Sequence, residues 1–174
     1  MRVDARLVIG AAMLLLGACS KQIPYSGDGR LIDNGFAAAD HRYVIELGSL
    51  DLTRKGSRNF VMAGLPRTYF VVGLQIPGGI NRGSDASAAT PADVSIEVTQ
   101  ENYGMVALIT APLRDWTWAN PKPGEPTLVY LRRSSRSYFD AFTEARYQVN
   151  VVVNVPDPSI PEGSLVVLKS AGWK

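Results

Sequence analysis

From Tyr43 onward the chain alternates apolar and polar positions. Tyr147, Val149, Val151, Val153 and Val155 fall on one side of a single run, with Gln148, Asn150 and Asn154 on the other. This is the period of two expected of a half-buried strand. A slip of one residue would turn all five apolar side chains outward, so the register of this strand is tightly set. Residues 93–100 repeat the pattern, with Val94, Ile96 and Val98 inward and Ser95, Glu97 and Thr99 outward. Asn102-Tyr103-Gly104 then leads into a second apolar run at 105–110, which predicts a hairpin. Tyr43, Ile45 and Leu47 share one face, and Leu50 and Leu52 continue the alternation up to a polar turn at Lys55-Gly56-Ser57. A strand over 59–63 ends at Gly64-Leu65-Pro66-Arg67. Residues 68–76 are apolar on both faces and stop at Pro77-Gly78-Gly79. Residues 114–118, 128–131 and 165–169 complete a set of eight or nine short strands. Turn signals every eight to twelve residues make this pattern a single antiparallel β-sandwich, immunoglobulin- or transthyretin-like in outline. Phe36-Ala37-Ala38-Ala39 predicts at most one helical turn, and no internal repeat is visible.

The start of the chain has a different pattern. Arg2 and Arg6 precede an apolar run over 7–16, followed by Gly17, Ala18 and Cys19. Ten apolar residues span only about 15 Å as a helix, half of the roughly 30 Å hydrocarbon core, so the run reads as a secretory signal rather than a spanning helix. Leu16-Gly17-Ala18-Cys19 resembles the lipobox of bacterial lipoproteins. The resemblance implies removal of residues 1–18 and acylation of the Cys19 thiol and of its new amine. Two or more acyl chains make a stable anchor, whereas one binds reversibly. Ser20 stands where enterobacterial lipoproteins retained in the inner membrane carry aspartate, so the resemblance places the protein on the outer membrane, facing the periplasm. Residues 19–35, with Pro24, Gly27, Gly29 and Gly35, then read as the acylated cysteine and a flexible tether. Residues 36–174 read as the sandwich domain, and residues 80–92, rich in Gly, Ser, Ala and Thr, as a mobile surface loop.

Charge and cysteine usage agree with that placement. The formal charge is +2, and removing residues 1–18, which carry +1, leaves a nearly neutral chain of 156 residues. No strong field draws it to nucleic acid. A domain of this size buries roughly two thirds of its unfolded surface and needs no disulfide. Cys19 is the sole cysteine, and the lipid would consume it.

No catalytic constellation stands out. His41 is the only histidine, and as Asp40-His41 before a strand it reads as a surface or capping residue. A Gly-x-Ser-x-Gly elbow, a His-Glu-x-x-His pair and a phosphate-cradling Gly-x-x-x-x-Gly-Lys are all absent. Glu101, Asp115, Asp140 and Glu144 lie in loops, with no two singled out as a glycosidase pair. Asp85, Asp93, Asp115, Asp140 and Asp157 are too scattered for a dense calcium cage. No cofactor or metal site is therefore expected. Trp116 and Trp118, at i and i+2, would share one face of a strand about 6.6–7 Å apart. They form either a platform for a sugar or a partner's apolar side chain, or a plug at the end of the core. Arg132, Arg133 and Arg136 gather three guanidinium groups whose forks suit carboxylates and phosphates, unless they are simply a solvated loop. The three prolines of 120–126 make a stiff excursion that would join these arginines if both lie at one end.

The run Phe142-x-x-x-x-Tyr147-x-Val149-x-Val151-x-Val153 is followed by Asp157-Pro158, Gly163 and Leu165-Val166-Val167-Leu168. With Leu65-Pro66, Gly73-Leu74 and Trp116-x-Trp118, it is similar to a family of single-sandwich bacterial envelope lipoproteins of unknown function, over residues 40–174. That resemblance assigns no functional residue. The outer-membrane lipoprotein of type VI secretion and lipoproteins that neutralise periplasmic toxins share the same outline. The expectation is a non-enzymatic protein-binding or scaffold module with Trp116, Trp118, Arg132, Arg133 and Arg136 as its contact residues. The alternatives are carbohydrate or peptidoglycan binding through the tryptophans, or an immunity or secretion-accessory role.

Overall fold

The strongest alternation in the sequence becomes the middle of a sheet. A computed structural model of the chain describes residues 24–35, 42–78, 90–118, 127–130 and 137–171. In it, β1 (Ser26–Gly27), β2 (Arg30–Asp33), β3 (Tyr43–Ser49), β4 (Gly56–Ala63), β5 (Tyr69–Ile76), β6 (Asp93–Gln100) and β7 (Gly104–Pro112) come first. A single 3-10 turn, Leu113–Asp115, precedes β8 (Thr117–Trp118), β9 (Thr127–Tyr130), β10 (Tyr138–Asp140), β11 (Arg146–Val155) and β12 (Leu165–Ala171). β11 is hydrogen-bonded to β4 on one flank and β6 on the other, with Val149 opposite both Phe60 and Val98. The strands form two antiparallel sheets, one in the order β1-β4-β11-β6-β7 and the other β2-β3-β12-β5-β9-β8, with β10 also paired to β5. The protein is an antiparallel β-sandwich.

The inward faces supply the core: Tyr147, Val149, Val151 and Val153 from β11, Val94, Ile96 and Val98 from β6, and Phe70, Val72 and Leu74 from β5. β5 is buried on its other face too at Val71, as its unbroken apolar run requires. Val155 departs from the expected pattern. A bulge between Val153 and Val155 breaks the ladder, and Val155 is exposed. Rings tie the sheets together, with Phe139 of β10 stacked 6.1 Å from Phe70 and tilted against Tyr147 at 5.4 Å.

Residues 26–33, read above as part of a flexible tether, are instead built into both sheets. β1 pairs with the end of β4, and β2 pairs with β3, so this segment wraps one edge of the sandwich. Its glycines serve close approach rather than looseness. A Cβ on Gly27 (φ +113°) would lie 2.2 Å from the Val61 carbonyl oxygen, and one on Gly29 (φ +84°) 2.3 Å from that of Glu46. Asp28 ends the β1 pairing by donating its N–H to the Val61 carbonyl and accepting the Val61 N–H on Oδ2. The tail of the supposed mobile loop is also fixed, since Thr90 and Ala92 are buried. The rest of that loop, together with Cys19, His41, Phe36 to Ala39 and Trp173, lies outside the described residues.

Leu50 and Leu52 are not strand residues either. They are buried plugs in the β3–β4 connection, held by Leu50 N–H to the Ser164 carbonyl and Asp157 N–H to the Leu52 carbonyl. Because φ is positive and the space is filled, Gly27→Ala is expected to cost about 1–3 kcal/mol in denaturant unfolding. Gly56→Ala, where a Cβ meets nothing within 4 Å, should stay within about 0.5 kcal/mol of wild type. Equal, small effects at both positions would return residues 26–33 to a tether.

Candidate functional site

The register fixes two ends of the molecule. β4 runs from Gly56 to Ala63, about 23 Å at the usual strand rise. Pro24 is packed at the Ala63 end, where a Cβ on Gly64 would lie 2.0 Å from its carbonyl oxygen. The β6–β7 turn and the β10–β11 corner share this near end, because Glu101 N–H donates to the Arg146 carbonyl and Arg146 stands opposite Ala63. The far end carries residues 50–58, the start of β6 and the β11–β12 connection.

At the far end, Leu50, Asp51 and residues 54–58 line a shallow, half-open groove of about 180 Å³. Its shape comes from a local Asx turn. Thr53 donates both its N–H (2.9 Å) and its hydroxyl (2.6 Å) to Asp51 Oδ1, while Arg54 Nε sits 2.6 Å from Oδ2. The Thr53 hydroxyl and N–H, and then Arg54, hold the Asp51 carboxyl below the usual carboxylate range. Arg54, Lys55 and Arg58 therefore oppose one carboxylate, and the groove is cationic.

The strand beside it has an open edge. β1 covers β4 only at Met62 and Ala63, with Asp28 at Val61. In an antiparallel ladder both peptide groups of a residue point the same way, and those of Val61 point outward to Asp28. Ser57 and Asn59 share that parity. Their N–H and C=O groups face away from β11 and have no partner strand among the described residues. Among the described residues, the cationic groove thus adjoins an uncovered strand edge.

Behind the groove lies a buried carboxylate. Asp157 accepts Thr90 Oγ1 (2.5 Å), Ser159 N–H (2.9 Å) and Ser159 Oγ (2.6 Å). Burial by itself would raise this carboxyl, but the bonds from Ser159 and Thr90 outweigh it and hold it below the usual value. Both its oxygens accept from protein donors, so it fastens the far end of the sandwich. Asp93, another of the scattered aspartates, accepts the Asn154 amide at 3.1 Å. Among the described residues no three His, Cys, Asp or Glu side chains stand close enough to hold a metal, and no helix is long and apolar enough to cross a membrane.

Trp116 is fully buried, which corrects its reading as a contact residue. The 3-10 turn carries the chain inward: Leu113 N–H bonds to Ala92, Trp116 N–H to Leu113, and the indole Nε1–H to the Ala111 carbonyl at 3.1 Å. Trp118 lies on β8, opposite Val129 of β9, so the pair shares no single strand. Arg132, Arg133 and Arg136 lie outside the described residues. The segment bearing them is flanked by pairs to Gly73 and Val71 of β5, whereas the proline-rich stretch rejoins the sheet at Ile76. Those flanks do not meet at one point. Arg54, Lys55 and Arg58 form as dense a basic triplet as the one within 132–136, but Lys55-Gly56-Ser57 has the signature of a polar turn and hides it in the sequence.

In comparisons with known proteins, no family profile, no curated protein and no solved structure matches the chain.

Two outcomes test these assignments. Trp116→Ala is expected to lower unfolding stability by about 3–5 kcal/mol, the cost of emptying a core site; a loss near zero would make the indole a surface group. Folding favours the ionised form of Asp157, so its contribution is whole above the unfolded pKa of about 3.9 and is lost as pH falls toward the depressed folded value. The stability gap between wild type and Asp157→Asn, read by urea unfolding, should shrink from about pH 6 to pH 3. A gap that is constant or widens would contradict the assignment.

Proposed function

We propose that this chain is an outer-membrane lipoprotein, acylated at Cys19 and facing the periplasm, that works as a non-enzymatic module binding another protein. The lipobox residues Leu16-Gly17-Ala18-Cys19 support the anchor. The observation that carries the binding role is the open Ser57–Asn59 edge of β4 beside the Arg54, Lys55 and Arg58 groove, at the end away from Pro24. Unpaired peptide groups on an edge accept an added strand, with side-chain charge setting which strand. Three cations against one carboxylate favour an acidic extended segment of the partner. Electrostatic complementarity of this kind steers association and rejects unlike partners. The carbohydrate alternative needed two indoles on one face, and the burial of Trp116 removes that platform.

The test places a photo-crosslinking amino acid at Ser57 in the full chain, in cells. The expected result is a crosslink to one acidic envelope protein that is lost when Arg54, Lys55 and Arg58 are changed together to Glu and kept when Arg114 and Arg67 are changed instead. A crosslink indifferent to the groove reversal, or none, would overturn the edge as the binding site.

A further inference from the structure

The near end carries an apolar surface that the binding role does not use. Among the described residues the exposed large apolar side chains are Tyr103, Met105, Phe142, Val61 and Val155. Tyr103, 81% exposed, and Met105, 48% exposed, sit at the β6–β7 turn, and Phe142, 37% exposed, sits at the β10–β11 corner. All three belong to the end where Pro24 enters the sandwich. Val61 lies on β4 two residues before Ala63, and only Val155 is at the far end.

The turns that present these side chains are firmly built. Asn102 (φ +71°) and Gly104 (φ +80°) shape the hairpin turn, and Tyr103 N–H bonds to the Gln100 carbonyl. Phe142 is fixed from both sides, its N–H bonding to the Tyr147 hydroxyl at 2.8 Å and the Arg67 guanidinium lying 5.8 Å from its ring centre. β10 also lies against β7, so the hairpin and the corner are neighbours. Tyrosine and phenylalanine suit a membrane–water interface, with their rings at headgroup depth.

The length of chain between Cys19 and this end decides the occupant. Four residues lie between Cys19 and Pro24, so the five steps span at most about 17–18 Å when fully extended. That is less than the roughly 23 Å length of β4, so a short link from an acylated Cys19 favours the near end at the bilayer over the far end. The near end is the one held at the bilayer. We infer that the turn bearing Tyr103 and Met105 and the corner bearing Phe142 rest in the lipid headgroup layer, a second contact with the membrane beside the acyl anchor. This inference rests on the acylation of Cys19 proposed above. The contact is apolar, since Arg67 and Arg146 share this end with Glu101, Asp140 and Glu144 and leave no cationic excess among the described residues there. It should therefore be insensitive to salt. It also leaves the open edge of β4 turned to the periplasm.

The test uses the processed, lipid-bearing chain in vesicles of phosphatidylethanolamine and phosphatidylcholine. With Cys19 acylated, a cysteine introduced at Tyr103, Phe142 or Ser57 is the sole thiol and takes a nitroxide label. The intact mass is read first, and a chain without lipid on Cys19 overturns the anchor itself. On the acylated chain, labels at Tyr103→Cys and Phe142→Cys are expected to relax several-fold faster with oxygen than with a water-soluble nickel chelate, unchanged by 0.5 M salt. The Ser57→Cys label should show the reverse. Labels at 103 and 142 open to the chelate would overturn the lipid contact while leaving the anchor intact. Labels shielded from both reagents would overturn it in favour of a second protein surface.

Discussion

The whole arrangement depends on the pleat of β11. Its neighbours β4 and β6 are both locked to it residue by residue, and Tyr147, Val149, Val151 and Val153 enter the core together. A shift by one position would exchange these for Gln148, Asn150, Val152 and Asn154, so the alternation admits only one register. That register sets Gly56 beside Val153 and Ala63 beside Arg146, and thereby decides which loops share an end. The separation of the basic groove at the far end from the exposed apolar side chains at the near end follows from strand pairing.

Strands whose side chains alternate were legible because burial on one face leaves its mark on every second residue. β11, β6 and β7 carry that mark, and the two-sided burial of β5 shows as an unbroken apolar run. The edge wrap of 26–33 was not legible. Glycine needed for a positive φ against a carbonyl oxygen looks the same in composition as glycine in a loose linker, and only the 2.2 Å approach at Gly27 separates them. Leu50 and Leu52 mislead for a related reason. Two apolar residues at i and i+2 fit a strand, yet here they plug the end of the core from a turn whose backbone bonds go to Ser164 and Asp157.

The site divides in the same way. Trp116-x-Trp118 suggested a shared face, and the 3-10 turn just before it removed Trp116 to the interior, an event that depends on Leu113 reaching Ala92 across the sheet. The bonds of Asp157 to Ser159 are local, whereas its tie to Thr90 joins residues 67 positions apart and leaves no mark in the sequence. The basic triplet of 54–58 was present in the sequence all along. What gives it significance is the open edge beside it, which is a property of sheet order.

The account stands or falls on the two ends meeting different surroundings. Hydrogen exchange of the unmodified, lipid-bearing chain, compared between vesicles and detergent-free lipid nanodiscs against the same chain in detergent, reads this directly. Slower exchange on bilayers is expected in peptides covering 101–106 and 141–146, with 53–60 unchanged. Slowing confined to 53–60, or spread evenly over the sandwich, would contradict it.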